Sequence, residues 1–151
     1  MPYTLDQLSD LQDIQDLILD YANAIDQKQL DELDKLFTED AWIDYSALGG
    51  TKGLYPEVKE FLAATLPLFP KFQHFNSNIR IHLNGDEANA RIYCFNPMYV
   101  PEKLGGSNEV MLLGLWYLDK YQRINGQWKI SERVEEASWN YNVPAGMPNS
   151  E

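Results

Sequence analysis

Hydrophobic positions change period near the middle of the chain. Leu8, Leu11, Ile14, Ile18, Tyr21 and Ile25 recur every three or four residues, a spacing that lines one face of a helix. Thr4 or Ser9 suits its N-cap, and Asp6 and Asp10 suit a first turn, where acidic charge meets the positive end of the helix dipole. The stretch "DQKQ" interrupts the pattern, and Leu30, Leu33, Leu36 and Phe37 predict a shorter helix after it. "AWIDYS" predicts a short strand closed by Gly49 and Gly50. "YPEVKEFLAATLPLF" predicts a third helix, with Pro56 in its first turn and Pro67 at its end.

Beyond Phe72 the period becomes two. Ile79, Ile81 and Leu83 alternate, "LNGDEA" supplies a turn, and Ala88, Ala90, Ile92 and Cys94 alternate again, so a hairpin is expected. "NPMYVPEKLGGSN" reads as a loop. "EVMLLGLWYLDKYQRI" and "QWKISERVEEASW" read as two strands joined at Asn125–Gly126, a strong hairpin turn. Helices first and an antiparallel meander afterwards make an α+β fold, with helices on one face of a curved sheet. The strand over 111–118 is apolar on both faces, so the second face should be covered too. A subunit interface would cover it, and a homo-oligomer is expected.

A chain of 151 residues suits one domain spanning 1–151. Its net charge of −11, with six Asp and no Lys or Arg in the first 26 residues, argues against nucleic acid and anionic membrane surfaces as partners. The single cysteine, Cys94, rules out an intramolecular disulfide and a cysteine-cluster metal site. No apolar run approaches the length of a membrane span, and the first residues lack a basic and then apolar leader pattern. The cytoplasm is the expected location.

No phosphate-loop spacing, Gly-x-Ser-x-Gly elbow or Cys/His ligand set occurs, so no metal or cofactor is expected. What remains is acid/base chemistry. Asp26 ends the first helical stripe, ~40° round the helix from Ala22. An acid there faces backbone carbonyls, so something else must hold it. An imidazole N–H is one candidate, and an exposed Asp in a turn is the plain alternative. Tyr21 lies inside the stripe, either as a core residue or as a hydroxyl needing a partner. Tyr45 shares a strand face with Ile43, opposite Trp42 and Asp44. Trp42 is a candidate substrate contact, with an apolar body and a polar tip. Arg133, among Glu132, Glu135 and Glu136, is a surface ion pair or a pocket residue.

His74, in "FQHFNSN", is one of two histidines, with His82. Strict alternation puts it on the face opposite Ile79, Ile81 and Leu83. Only a β-bulge near Asn76–Asn78 would turn it toward the helices.

The run "LQDIQDLILDYANAIDQKQLDELDKLFTEDAWIDYS", with "FQHFNSN", the Asn84–Gly85–Asp86 turn and "DKYQRINGQWKI", resembles SnoaL-like proteins of the nuclear-transport-factor-2-like superfamily. It is most similar to a group containing scytalone dehydratase, bile-acid dehydratase and hexachlorocyclohexane dehydrochlorinase. The resemblance implies a cone-shaped α+β barrel whose curved sheet and helices enclose a pocket. It implies a His74–Asp26 proton-transfer dyad, Tyr21 and Tyr45 polarising or protonating the substrate, and Arg133 near a leaving group. The second catalytic His or Asp of the two dehydratases is missing from "YCFNPMYV", where Asn96 or Tyr99 could serve only as hydrogen-bonding groups. The implied activity is a cofactor-independent lyase on a small hydrophobic or polycyclic substrate, with an isomerase or cyclase, or a binding module, as alternatives. A trimer is expected, since the dehydratases and dehydrochlorinase form one.

Overall fold

A computed structural model describes residues 2–147 of the chain. Helix α1 spans Leu5–Asp26 and α2 spans Tyr55–Thr65. The strands are β1 (Phe37–Asp44), β2 (Lys52–Leu54), β3 (Phe75–Asn84), β4 (Glu87–Tyr99), β5 (Val110–Ile124) and β6 (Gln127–Tyr141). They form one sheet in the order β2-β1-β6-β5-β4-β3. The fold is α+β, as expected: a curved, unclosed sheet with both helices on its inner side. The meander is antiparallel, but β1 joins β6 in parallel, which makes the sheet mixed.

Thr4 caps α1 in a reciprocal box. Its hydroxyl accepts from the Gln7 N–H at 3.1 Å, and the Gln7 side chain accepts from the Thr4 N–H at 2.9 Å. The stripe buries Ile14, Leu17, Ile18, Tyr21, Ala22, Ala24 and Ile25. Leu8 stays exposed, while Asp10 beside it accepts from Arg123 of β5 and Trp128 of β6. The expected second helix is a 3-10 segment, Leu30–Lys35, which buries only Leu33. Phe37 leaves it to open β1 and stacks on Tyr55, ring centroids 4.9 Å apart. Helix α2 ends at Thr65 and tightens into a 3-10 turn over Leu66–Leu68, where Pro67 supplies no N–H.

At the β5–β6 turn both Asn125 (φ 51°) and Gly126 (φ 76°) are left-handed, as a two-residue type I′ hairpin requires. Bulges bend the sheet. One lies in β3 between Ser77 and Arg80, and two lie along β5–β6. The β3 bulge is the one expected. Ser77 pairs with Tyr93 and Arg80 with Arg91, so Asn78 and Ile79 together oppose Ile92. Asn78 takes φ 49°, a conformation Asn tolerates better than most side chains. Parity flips there, and His74 and Asn76 face inward together with Ile79, Ile81 and Leu83. No helix among the described residues is long and apolar enough to cross a membrane.

Candidate active site

Between α1, α2 and the inner face of the sheet lies a cavity of about 420 Å³. Phe61, Leu62, Leu66, Phe69, Met111 and Leu115 make its wall apolar. Its polar lining includes Tyr21, Tyr45, His74, Asn96, Tyr117 and Glu135.

Asp26, the last residue of α1, meets His74 twice. The His74 ring Nδ1 lies 2.6 Å from one carboxylate oxygen, and the His74 backbone N–H donates to the other at 2.9 Å. The first contact fixes the tautomer with the proton on Nδ1 and leaves Nε2 as the free base. The two donors answer the question raised by an acid at a helix C-terminus, since they replace the favourable field that the helix does not supply there. The edge of Phe72 packs on the imidazole, ring centroids 6.0 Å apart.

Asn96 holds the chain that carries His74. Its side-chain N–H donates to the Gln73 carbonyl at 2.7 Å, and the Gln73 N–H reaches the Pro97 carbonyl at 3.1 Å. Asn96 is buried, lines the cavity and has spent a donor on this support.

The hydroxyls of Tyr21 and Tyr45 lie 2.5 Å apart, and both residues line the cavity. Burial pushes both phenols well above their ordinary range, while the nearby Arg133 guanidinium opposes the rise. They are therefore neutral donors at physiological pH. Burial likewise pushes the Cys94 thiol up to about 12, so it is an inert core residue.

Arg133 corrects both sequence readings of it. It is neither a surface ion pair nor part of the cavity lining, but 0% exposed. Its Nε and Nη2 form a fork onto Asp119 at 2.8 and 2.7 Å, and the Tyr121 hydroxyl donates to the same carboxylate at 2.5 Å. The guanidinium lies 4.2 Å from the ring centroids of both Tyr21 and Tyr117, so it backs the cavity through those rings. Its Nη1 has no hydrogen-bond partner among the described residues, but the tyrosine rings stand between the guanidinium and the cavity.

Trp42 and Tyr99 do not line this cavity. Trp42 is 40% exposed on the outer face of β1, as its parity opposite Tyr45 requires. Tyr99 ends β4 at the rim of a separate depression, beside Lys28 and Lys71.

Glu135 and Tyr117 line the cavity without having been singled out in the sequence. Glu135 was placed among the acids around a surface arginine. Its parity with Arg133 was the available signal, because if one faces inward the other does too. Among the described residues, no three His, Cys, Asp or Glu side chains form a metal-binding group.

Residues 6–134 match the SnoaL-like domain. An uncharacterized protein of Mycobacterium tuberculosis is 44% identical over 129 residues, covering 85% of this chain and 86% of its own. The gamma-hexachlorocyclohexane dehydrochlorinase of Sphingobium indicum is 30% identical over 143 residues, covering 93% and 86%. A scytalone dehydratase-like protein of Passalora fulva is 28% identical over 148 residues, covering 86% of each. Among solved structures, the crystal structure of LinA superposes with a TM-score of 0.82 at 25% identity, covering 97% of both chains.

Proposed function

The chain belongs to the SnoaL-like family, and on that footing we propose that it is a cofactor-independent lyase acting on a small apolar or polycyclic ketone. The observation that carries this reading is the imidazole of His74, held by Asp26, with a free Nε2 on an apolar cavity that also presents the paired hydroxyls of Tyr21 and Tyr45. His74 takes a proton from the carbon beside a carbonyl, and Asp26 stabilises the imidazolium that forms. The tyrosine pair donates to the carbonyl oxygen and meets its developing negative charge in a site of low polarity. The enolate then expels the group on the next carbon. Proton transfer and bond cleavage without redox change need no group beyond these side chains. Lyase relatives, among them a dehydrochlorinase and a dehydratase-like protein, support this class of reaction.

The same half-reaction serves an isomerase or cyclase, and the hydroxyl pair, which suits any enolate, favours that second reading. Product mass separates the two, since elimination loses water or halide and isomerisation loses nothing. A plain binding module would need no tautomer-fixed histidine on its cavity.

The test is turnover of a β-hydroxy decalone and of the matching β-chloro decalone by the wild type, His74→Ala and Asp26→Asn. General-base loss should lower kcat/KM on the order of 10²–10⁴-fold. A His74→Ala protein with full turnover on a probe that the wild type converts sinks the mechanism.

The outer face is a second part of the proposal. Phe75, Tyr93, Phe95, Trp139 and Tyr141 are exposed there, bordered by the Arg91–Glu136 ion pair. Further copies of this chain, in a trimer, are the proposed cover for this patch. Light scattering at micromolar concentration should give three times the chain mass, and a monomer contradicts it.

A further inference from the structure

The dyad and the tyrosine pair leave a carboxyl group on the cavity unused, that of Glu135. Glu135 lies on β6 directly opposite Tyr117 of β5, on the inner face. Across the parallel β1–β6 pair, Ile43 matches Arg133 and Asp44 matches Val134, so Tyr45 follows one step on, beside Glu135. Glu135 therefore shares a cavity with His74 and stands next to the two hydroxyls, on a different wall from the imidazole.

Its surroundings do not hold it as a carboxylate. Arg133, two residues earlier, forks onto Asp119 through Nε and Nη2, its Nη1 makes no hydrogen bond, and none of the described residues donates a hydrogen bond to the Glu135 carboxyl. The titratable and charged groups near it are Tyr21 from α1, Tyr45 after β1, Cys94 from β4, Tyr117 from β5 and Arg133 from its own strand, with Asp44 acting from the other face of β1. Burial, opposed by the Arg133 guanidinium and reinforced by the Asp44 carboxylate, pushes the carboxyl up to about 8.

We propose that Glu135 is the general acid of this site, delivering its proton to a leaving oxygen, so that the substrate class is a neutral apolar ketone with a hydroxyl on its β-carbon. This rests on the reading of His74 as the base. His74 Nε2 takes the α-proton, and the C–H electron pair becomes the new C=C bond through the enolate. The Cβ–O bond breaks with its pair on oxygen, and the Glu135 O–H proton completes a water molecule. The products are an α,β-unsaturated ketone and water. Imidazolium and carboxylate remain, and the proton returns from His74 to Glu135 through the released water. Nothing is oxidised or reduced. A chloride needs no proton to depart, whereas a hydroxide is a poor leaving group without one, so the acid selects dehydration over dehydrochlorination.

Two measurements test the proposal. Carbon-13 NMR of glutamate-labelled wild type, assigned with Glu135→Gln, should show one side-chain carboxyl still protonated at pH 7. Titration of that carboxyl near the ordinary value of about 4.3 overturns the proposal. The second compares a β-hydroxy decalone with the matching β-chloro decalone. Glu135→Gln, isosteric and checked by its melting curve, should lower elimination of water on the order of 10²–10⁴-fold and elimination of chloride less than about threefold. Equal losses on both probes overturn the role of Glu135 while leaving the His74 base standing. His74→Ala that retains both eliminations overturns the base instead. A wild type that eliminates from neither probe overturns the substrate class.

Discussion

Two carboxylates on the inner side of the sheet each hold a nitrogen base, and they are built in opposite ways. Asp119 and Arg133 are both 0% exposed, joined by two parallel hydrogen bonds, with a third from Tyr121. Asp26 and His74 keep 21% and 10% of their side-chain exposure, and one ring nitrogen of the pair remains unspent on the cavity. The first pair is fully buried behind the tyrosine rings, with the Arg133 Nη1 left without a hydrogen-bond partner. The second is oriented by two contacts. A buried guanidinium forked onto a carboxylate has no basic nitrogen to take a proton, whereas a pair with a free basic nitrogen can act. The sequence makes His74 the candidate base and Arg133 either a surface ion pair or a substrate contact, and this difference shows why, of the two, only His74 can move a proton.

The largest expected effect breaks the sealed pair. Arg133→Met leaves the Asp119 carboxylate buried without its cation, at a cost of about 3–5 kcal/mol, read by urea denaturation. Asp26→Asn should do the reverse, with stability within about 1 kcal/mol of wild type and turnover down on the order of 10²-fold or more. If Asp26→Asn unfolds the protein while Arg133→Met leaves it intact, the contrast between the two pairs is wrong.

A pH dependence sharpens the contrast further, because Glu135 lies between the two pairs. Its folded value is raised, so the stability from burying it neutral is complete below about 4.5 and is lost as pH rises through about 8. Wild type should therefore lose roughly 4 kcal/mol relative to Glu135→Gln between those limits, measured by denaturation at several pH values. A constant difference across that range contradicts the buried neutral acid. A smaller effect belongs to the bulge that aims His74. Asn78→Val places a β-branched residue at φ 49° and should cost about 1–2 kcal/mol, with a parallel fall in turnover as His74 loses its aim. Unchanged turnover would show that the bulge does not set the direction of the imidazole.

The bulge was legible because two facts conflicted. His74 and Ile79 are five apart and cannot share a face of a regular strand, yet a dyad with α1 needs both facing inward. The Asn-Ser-Asn stretch was the only place for the extra residue. Asp26 was legible for a similar reason, as an acid misplaced at a helix C-terminus. Arg133 was not. Its partner Asp119 comes from the neighbouring strand, and strict alternation from Ile130 would turn Arg133 outward, until a bulge in β6 at Ser131 shifts the inward face onto it. Glu135 was lost with it. The parallel β1–β6 pairing was equally hidden, since no local pattern in either strand records which distant strand it joins. Strand β2, three residues long, carries no alternation to read.

The central claim is that His74 removes a proton from a carbon beside a carbonyl. The most direct measurement is deuterium uptake from heavy water at the α-carbon of an unsubstituted decalone, followed by mass spectrometry, because it needs no leaving group and no acid. Wild type should accelerate the exchange well above buffer, and His74→Ala should return it to the buffer rate. Equal exchange by the two proteins would contradict the assignment of His74 as the base.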